Sequence, residues 1–271
     1  MPRPFNHRPP PRDTFSASSF PQNKYPRMPR YSIVIPAYNE AKRLGSTLER
    51  VLNYVTSQQW DAEVIVVNDG SRDATPELVR EAAERCRFLR LIENPGNRGK
   101  GYSVRNGMLN ATGELLLFSD ADLSSPIEEA SKLFTAIQNG ADIAIGSRWI
   151  RPETQTKRQS PLRQLYGRAF NIALRILLGL KQKDTQCGFK AFTRNAALKI
   201  FPLQHIERWG FDPEILFLAR RFAFRVDEVP VAWADVGGTR ISPLRDGLRM
   251  IGEVLRIRWS AISGRYGVGC R

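Results

Sequence analysis

Five short apolar runs, at 32–36, 62–67, 88–92, 114–118 and 143–146, alternate with segments of helical periodicity. Runs of that length bounded by turn residues read as buried strands, and strands alternating with helices of about ten to fifteen residues argue for a mostly parallel central sheet with helices on both faces. The fold class is α/β. In such sheets ligands sit beyond the carboxyl ends of the strands. Asn39-Glu40, Asp69 with Asp73, and Asp120 with Asp122 each follow a run directly, so the topology gathers three acidic turns at one rim.

The stretch 115–122, Leu-Leu-Leu-Phe-Ser-Asp-Ala-Asp, constrains function most. A hydrophobic strand that ends on two carboxylates is costly unless something cationic sits there. Residues two apart in extended chain point the same way, so Asp120 and Asp122 can face one site roughly 6–7 Å apart. Hard oxygen donors with no His or Cys nearby suit a Mg²⁺ or Mn²⁺ ion that also holds a diphosphate. A solvated turn, with Asp122 capping a helix that begins near Pro126, fits the same spacing. The residues alone leave both readings open.

A chain of 271 residues can bury one substantial core. Its formal charge of +14 points to an anionic partner: nucleotide phosphates, a lipid phosphate, an anionic membrane surface or nucleic acid. Cys86, Cys187 and Cys270 form no closely spaced pair, which suggests neither a disulfide framework nor a zinc site and fits a reducing cytoplasm. His7 lies in a tail-like segment and His205 in a loop-like one, so histidine acid/base chemistry is not expected. There is no apolar signal core and no uninterrupted apolar run of about 18 residues, hence no expected secretory signal or transmembrane helix.

Residues 1–30 hold eight of the eighteen prolines and read as a disordered basic tail. The main domain is expected over 31–242, followed at 243–271 by a basic amphipathic helix and tail. Between 146 and 191, ten Lys or Arg stand against two acids. A helix over 162–180 carries a broad apolar face punctuated by Arg163, Arg168 and Arg175. A second, over 243–262, has apolar positions at 244, 248, 251, 255, 259 and 262 and an Arg-rich polar face. Each could pack on the sheet, or lie in a membrane interface with its arginines at the headgroups.

Taken in order, 33–40 (Ile-Val-Ile-Pro-Ala-Tyr-Asn-Glu), 67–73 (Val-Asn-Asp-Gly-Ser-Arg-Asp), the Gly-rich loop 94–101 into Asn106-Gly107, and Asp120-Ala121-Asp122-Leu123 resemble the family 2 glycosyltransferases. Gly146-Ser147-Arg148, Arg163 with Asn171, 184–190 (Asp-Thr-Gln-Cys-Gly-Phe-Lys), Gly210-Phe211-Asp212 and 229–233 (Val-Pro-Val-Ala-Trp) look like the branch that makes polyprenyl-phosphate sugars, the dolichyl-phosphate β-glucosyltransferases especially, with the mannose synthases as cousins. The resemblance implies the GT-A nucleotide-diphospho-sugar transferase fold. It implies an inverting, metal-dependent transfer of glucose from UDP-glucose to a polyprenyl phosphate at the cytoplasmic face of a membrane. Another nucleotide sugar such as GDP-mannose, or a lipid or polysaccharide hydroxyl acceptor, is the nearest alternative.

Carried over by position, Pro36, Ala37, Tyr38, Glu40, Gly99, Lys100 and Ala121 line the nucleotide-sugar pocket and Asp69 recognises the base. Asp120 and Asp122 bind the metal and diphosphate, while Arg148, Arg163 and Lys190 serve the acceptor phosphate. The mannosyl relatives carry Gln where this chain has Ser124, which leaves the third protein ligand of the metal unassigned. Asp212 is the candidate base if the acceptor is a hydroxyl; otherwise it is an acid at a helix N-terminus.

A basic nucleotide- or nucleic-acid-binding protein without turnover is the alternative of a different class. Against nucleic acid, the basic residues follow an acidic rim and match no aromatic-interleaved module. The segment 96–101 fails the P-loop spacing, and no Gly-x-Gly-x-x-Gly follows the first strand. The presence of Asp120, Asp122 and Arg148 together argues for turnover.

Overall fold

The computed structural model describes residues 28–150, 155–157, 161–235 and 243–267, so the tail expected over 1–30 falls, up to residue 27, outside the described part. Backbone pairing begins at once: the Leu115 N–H donates to the Arg30 carbonyl at 2.9 Å and the Arg30 N–H to the Asp61 carbonyl at 2.9 Å. The chain then runs β1 (Tyr31–Ala37), α1 (Ala41–Ser57), β2 (Ala62–Asn68), α2 (Thr75–Arg85), β3 (Leu89–Glu93), α3 (Lys100–Asn110) and β4 (Leu115–Ser119). It continues through α4 (Ala130–Gln138), β5 (Ile143–Ser147), β6 (Gln155–Lys157), α5 (Pro161–Leu178), β7 (Phe189–Thr193), α6 (Arg194–Ile200), α7 (Phe211–Arg221), β8 (Val226–Pro230), β9 (Trp233–Ala234) and α8 (Pro243–Ile262).

Seven strands form one sheet in the order β3-β2-β1-β4-β7-β5-β8, and β6 pairs with β9 in a small second sheet. The first four pair in parallel, as do β5 and β8; β7 runs antiparallel to both β4 and β5. The expected mostly parallel sheet therefore carries one reversed strand. Its start, rather than its end, lies at the rim: Phe189 sits opposite Ser119 and Lys190 opposite Phe118. The chain steps from β1 outward to β2 and β3, then returns to place β4 on the other flank of β1. That reversal opens a crevice between the ends of β1 and β4.

Alternate residues of the central strands feed two cores. Ile33, Ile35, Val64, Val66 and Leu117 pack under Leu44, Leu48 and Val51 of α1 and Leu133, Phe134 and Ile137 of α4. Val34, Ile65, Val67 and Phe118 belong to the opposite core, with Val104 and Met108 of α3, Phe211 and Ile215 of α7, and Val254 and Ile257 of α8. α8 thus shares the main core.

Candidate active site

The β1–α1 and β2–α2 turns are stapled to each other. The Asn39 N–H donates to Ser71 Oγ at 2.9 Å, the Glu40 N–H to Thr75 Oγ1 at 2.8 Å, and the Arg72 N–H to Asn39 Oδ1 at 2.7 Å. Asp73, one of the acids placed at the rim by topology, is used structurally. It accepts from the N–H groups of Ala41 and Thr75, both at 3.1 Å, and from the Thr75 hydroxyl. Pro36, Ala37, Tyr38 and Glu40 border the crevice at the end of β1, with the Glu40 carboxylate paired to Arg43.

Asp69 lies beneath the Gly-rich loop, 4% exposed. Its carboxylate accepts from Asn94 Nδ2 at 2.9 Å and from the N–H groups of Arg98 at 2.9 Å and Gly99 at 2.8 Å. These donors together fix where α3 begins. The first residue of that helix, Lys100, reaches the carboxylate of Asp120 at the end of β4. Burial pulls the Lys100 pKa down, but Asp120, Asp212 and Asp122 together hold it above the ordinary lysine value. Burial, with Asp122 nearby, raises Asp120 despite the lysine.

Asp122 Oδ1 accepts from the Ser124 N–H at 2.9 Å, and its other oxygen lies 3.9 Å from Arg43 Nη1. The Thr47 hydroxyl holds the Ala121 carbonyl at 2.7 Å, which anchors the turn between the two acids to α1. Gly188, ahead of β7, crosses so close that a Cβ there would sit 2.1 Å from Asp120 Oδ2. Only glycine leaves that carboxylate in place.

The β5–β7 side of the rim is built from ion pairs. Arg148, just past β5, donates through Nε and Nη2 to the two oxygens of Asp184, both at 2.7 Å, a planar fork on a carboxylate with no exposed surface. Burial pushes Asp184 up, yet Arg148 and its backbone N–H more than reverse this and hold it below the ordinary carboxylate range. Glu228 of β8 grips the same loop by accepting from the Lys183 and Asp184 N–H groups at 2.7 and 2.9 Å. The Arg148 guanidinium stands 5.5 Å from the Trp233 ring centroid.

Lys190 is wholly buried. Its ammonium bonds the Asp212 carboxylate and the Cys187 carbonyl. Asp212 is in the first turn of α7 as expected for a helix N-terminal acid, but it also carries this ion pair. The Cys187 thiol, buried in the same loop, has its pKa pushed up to about 11 by desolvation and Asp184. Arg163 belongs to α5 in a stretch whose side chains lie outside the described part.

The rim therefore brings together Asp120, Asp122, Lys100, Arg148, Lys190 and Asp212. The sequence places Lys100 in the nucleotide-sugar pocket and Asp184 in the 184–190 motif, but it shows neither the pairing of Lys100 with Asp120 nor that of Asp184 with Arg148. Asp184 has a sequence signal, being one of two acids among ten bases in 146–191.

The Glycosyl transferase family 2 model matches residues 32–201. A dolichyl-phosphate β-glucosyltransferase of Drosophila melanogaster is 37% identical over 272 residues, covering 94% of this chain and 81% of that protein. The chain belongs to glycosyl transferase family 2. Its enzyme class follows: it is a glycosyltransferase. A Trichomonas vaginalis dolichyl-phosphate β-glucosyltransferase is 40% identical over 220 residues, covering 78% of this chain and 65% of that protein. The Homo sapiens one is 34% identical over 87% of this chain and 76% of that protein. Among solved structures, glucosyl-3-phosphoglycerate synthase from Mycobacterium tuberculosis, in complex with Mn²⁺, UDP and phosphoglyceric acid, superposes with a TM-score of 0.62 at 20% identity, covering 89% of this chain and 80% of that one. The expected GT-A architecture is thereby met.

Proposed function

We propose that this glycosyltransferase moves glucose from UDP-glucose to the phosphate of a dolichyl-type polyprenyl lipid, with inversion at the sugar. One observation carries the choice of acceptor: Asp212 is already paired with the buried ammonium of Lys190. With its carboxylate engaged by that ammonium and only 4% of the residue exposed, Asp212 is not presented to an acceptor hydroxyl, which disfavours a hydroxyl acceptor. A phosphate acceptor is anionic near neutral pH, its second pKa being about 6, and needs positioning rather than deprotonation. Arg148, fixed in place by Asp184, stays protonated at the rim and is the donor assigned to that phosphate, with Arg163 assigned to the same task. Lys190 contributes through Asp212 rather than by touching the acceptor.

The donor occupies the crevice between β1 and β4, bordered by Pro36, Ala37, Tyr38, Glu40 and Ala121. Asp69 serves base recognition by holding the 94–99 loop, and Gly99 and Lys100 face the diphosphate. Asp120 and Asp122 fit Mg²⁺ or Mn²⁺: they are hard donors on one turn, and Lys100 already places a cation on Asp120. Among the described residues no group of three or more His, Cys, Asp or Glu able to hold a metal occurs, so Asp120 and Asp122 are the two that would hold the ion. When bound, the ion offsets charge on the leaving diphosphate. The UDP and Mn²⁺ held by the Mycobacterium enzyme support this choice of donor and ion.

The lipid acceptor implies a membrane surface. Among the described residues no helix is long and apolar enough to cross one. On α8, Ile251, Leu255, Trp259 and Ile262 are 43%, 58%, 64% and 80% exposed, and α5 exposes Ile172 and Ile176. The exposed arginines Arg168, Arg249, Arg256 and Arg258 lie on the same two helices, an arrangement suited to anionic headgroups at the cytoplasmic face.

The test is incubation with Mg²⁺ or Mn²⁺, a short polyprenyl phosphate and, separately, UDP-glucose, GDP-mannose and UDP-N-acetylglucosamine, with lipid products read by mass spectrometry. Lipid-linked hexose from UDP-glucose alone, lost in Asp122→Ala, is expected. Metal-dependent UDP-glucose binding without any lipid product would overturn the phosphate acceptor.

A further inference from the structure

α8 has two apolar stripes. Ile251, Leu255, Trp259 and Ile262 fall within one arc of about 80° and are exposed, while Met250, Val254 and Ile257 on the other side are buried. Among the packed residues stands one carboxylate, Glu253, 9% exposed. Its Oε2 accepts from the Gly210 N–H at 2.8 Å. The approach is tight, since a Cβ on Gly210 would lie 2.5 Å from that oxygen. Gly210 is the N-cap of α7, and Asp212 is two residues on, in contact with Lys190. One turn earlier on α8, Met250 Sδ lies 3.7 Å from Nε2 of Gln186, in the loop that carries Asp184 and Gly188. The inner face of α8 therefore touches both loops that build the acceptor side.

We propose that Glu253 is a positioning residue that couples docking of α8 on a bilayer to the geometry of the 209–212 turn, so that Asp212 and Lys190 are set for transfer when the enzyme is on lipid. This rests on the reading that α8 faces the membrane and that the acceptor is a lipid phosphate. A buried carboxylate holding a helix-cap N–H forms a charge-assisted bond, stronger than a neutral one, and fixes the entry of α7. A rigid helix shared between a lipid face and that bond moves the turn whenever it shifts.

The experiment compares wild type, Glu253→Ala and Glu253→Gln on vesicles of phosphatidylcholine and phosphatidylserine and in detergent micelles. It follows kcat, KM for UDP-glucose, vesicle flotation, and hydrogen–deuterium exchange of peptides spanning 207–213. In wild type, vesicles are expected to slow exchange in 207–213. In Glu253→Ala that response is lost and kcat on vesicles falls about ten-fold or more, with KM for UDP-glucose and flotation unchanged. Glu253→Gln, which can still accept the Gly210 bond, recovers most of both.

A 207–213 segment that ignores vesicles in wild type, or Glu253→Ala and Glu253→Gln variants that lose Tm, KM and kcat alike, overturns the coupling. If wild type makes no lipid-linked sugar yet its 207–213 exchange responds to vesicles through Glu253, the coupling stands and the lipid-phosphate acceptor falls. If it makes lipid-linked glucose without any such response, the acceptor stands and the coupling falls.

Discussion

Replacing Gly188 by alanine tests the assignment of Asp120 to a metal site without removing any charged group. The added Cβ would lie 2.1 Å from Asp120 Oδ2, 2.6 Å from Cγ and 2.7 Å from Oδ1, so no rotation of the carboxylate about its own axis clears it. Ordinary contact needs about 3.4 Å or more, so Asp120 has to shift by about 1 Å, and Lys100 with it. Misplacement on that scale costs a reaction about 100-fold, near 2.7 kcal/mol in the barrier. Overpacking costs about 1–3 kcal/mol of stability, a fall in Tm of several degrees in a chain of this size.

The assay is lipid-linked glucose formation at saturating UDP-glucose, with metal titrated and Tm measured on the same sample. Gly45→Ala is the control. Its Cβ would meet only Leu78 Cδ1 at an ordinary 3.6 Å, and within helix α1 the change is expected to stabilise by about 0.5–1 kcal/mol without loss of rate. A Gly188→Ala enzyme with wild-type rate and wild-type metal dependence would refute the placement of Asp120 in the metal and diphosphate site.

Asp184→Asn leaves Arg148 without its ionic partner and is expected to cost about 3–5 kcal/mol, read by chemical denaturation, together with most of the activity. Because the folded Asp184 pKa is depressed, its ionised form contributes stability fully above the unfolded value of about 3.9, and that contribution is lost as pH falls through the lower folded value. Denaturation midpoints across this acid range should accordingly fall less steeply in Asp184→Asn than in wild type. Cys187, its thiol pKa pushed up to about 11 and its side chain 2% exposed, should resist alkylation at pH values near 8 until the protein unfolds, whereas partly exposed Cys86 labels in the native state; equal labelling rates contradict the burial. Trp259→Ser removes the most exposed aromatic among the described α8 residues and should weaken flotation with vesicles while leaving Tm within about 1 °C; unchanged flotation argues against α8 as the lipid face.

The alternation of strand and helix in the first half was legible because each buried strand is a continuous apolar run and each return passes through a periodic helix. The site was legible in part. Asp120 and Asp122 announce themselves as carboxylates ending such a run, whereas Arg148 was marked only by the family resemblance. The α8 pattern shows the limit. Its positions 251, 255, 259 and 262 were equally able to pack or to face lipid, and the packing fell instead to Met250, Val254 and Ile257. Periodicity identifies a stripe but not what lies against it.

A mostly parallel α/β sheet with an acidic rim followed by a basic half is written in the chain alone, since apolar run length, turn chemistry and charge order are local properties. The partners come from the folded arrangement alone: Lys100 on Asp120, Arg148 on Asp184, Lys190 on Asp212 and Glu253 on Gly210. These contacts join residues 20 to 43 positions apart, which are 100 with 120, 148 with 184, 190 with 212 and 210 with 253. No spacing rule reaches that far. A charge in the sequence gives sign and neighbours in the chain, whereas its burial and its counter-charge depend on which strand the fold inserts beside it, here the reversed β7 between β4 and β5.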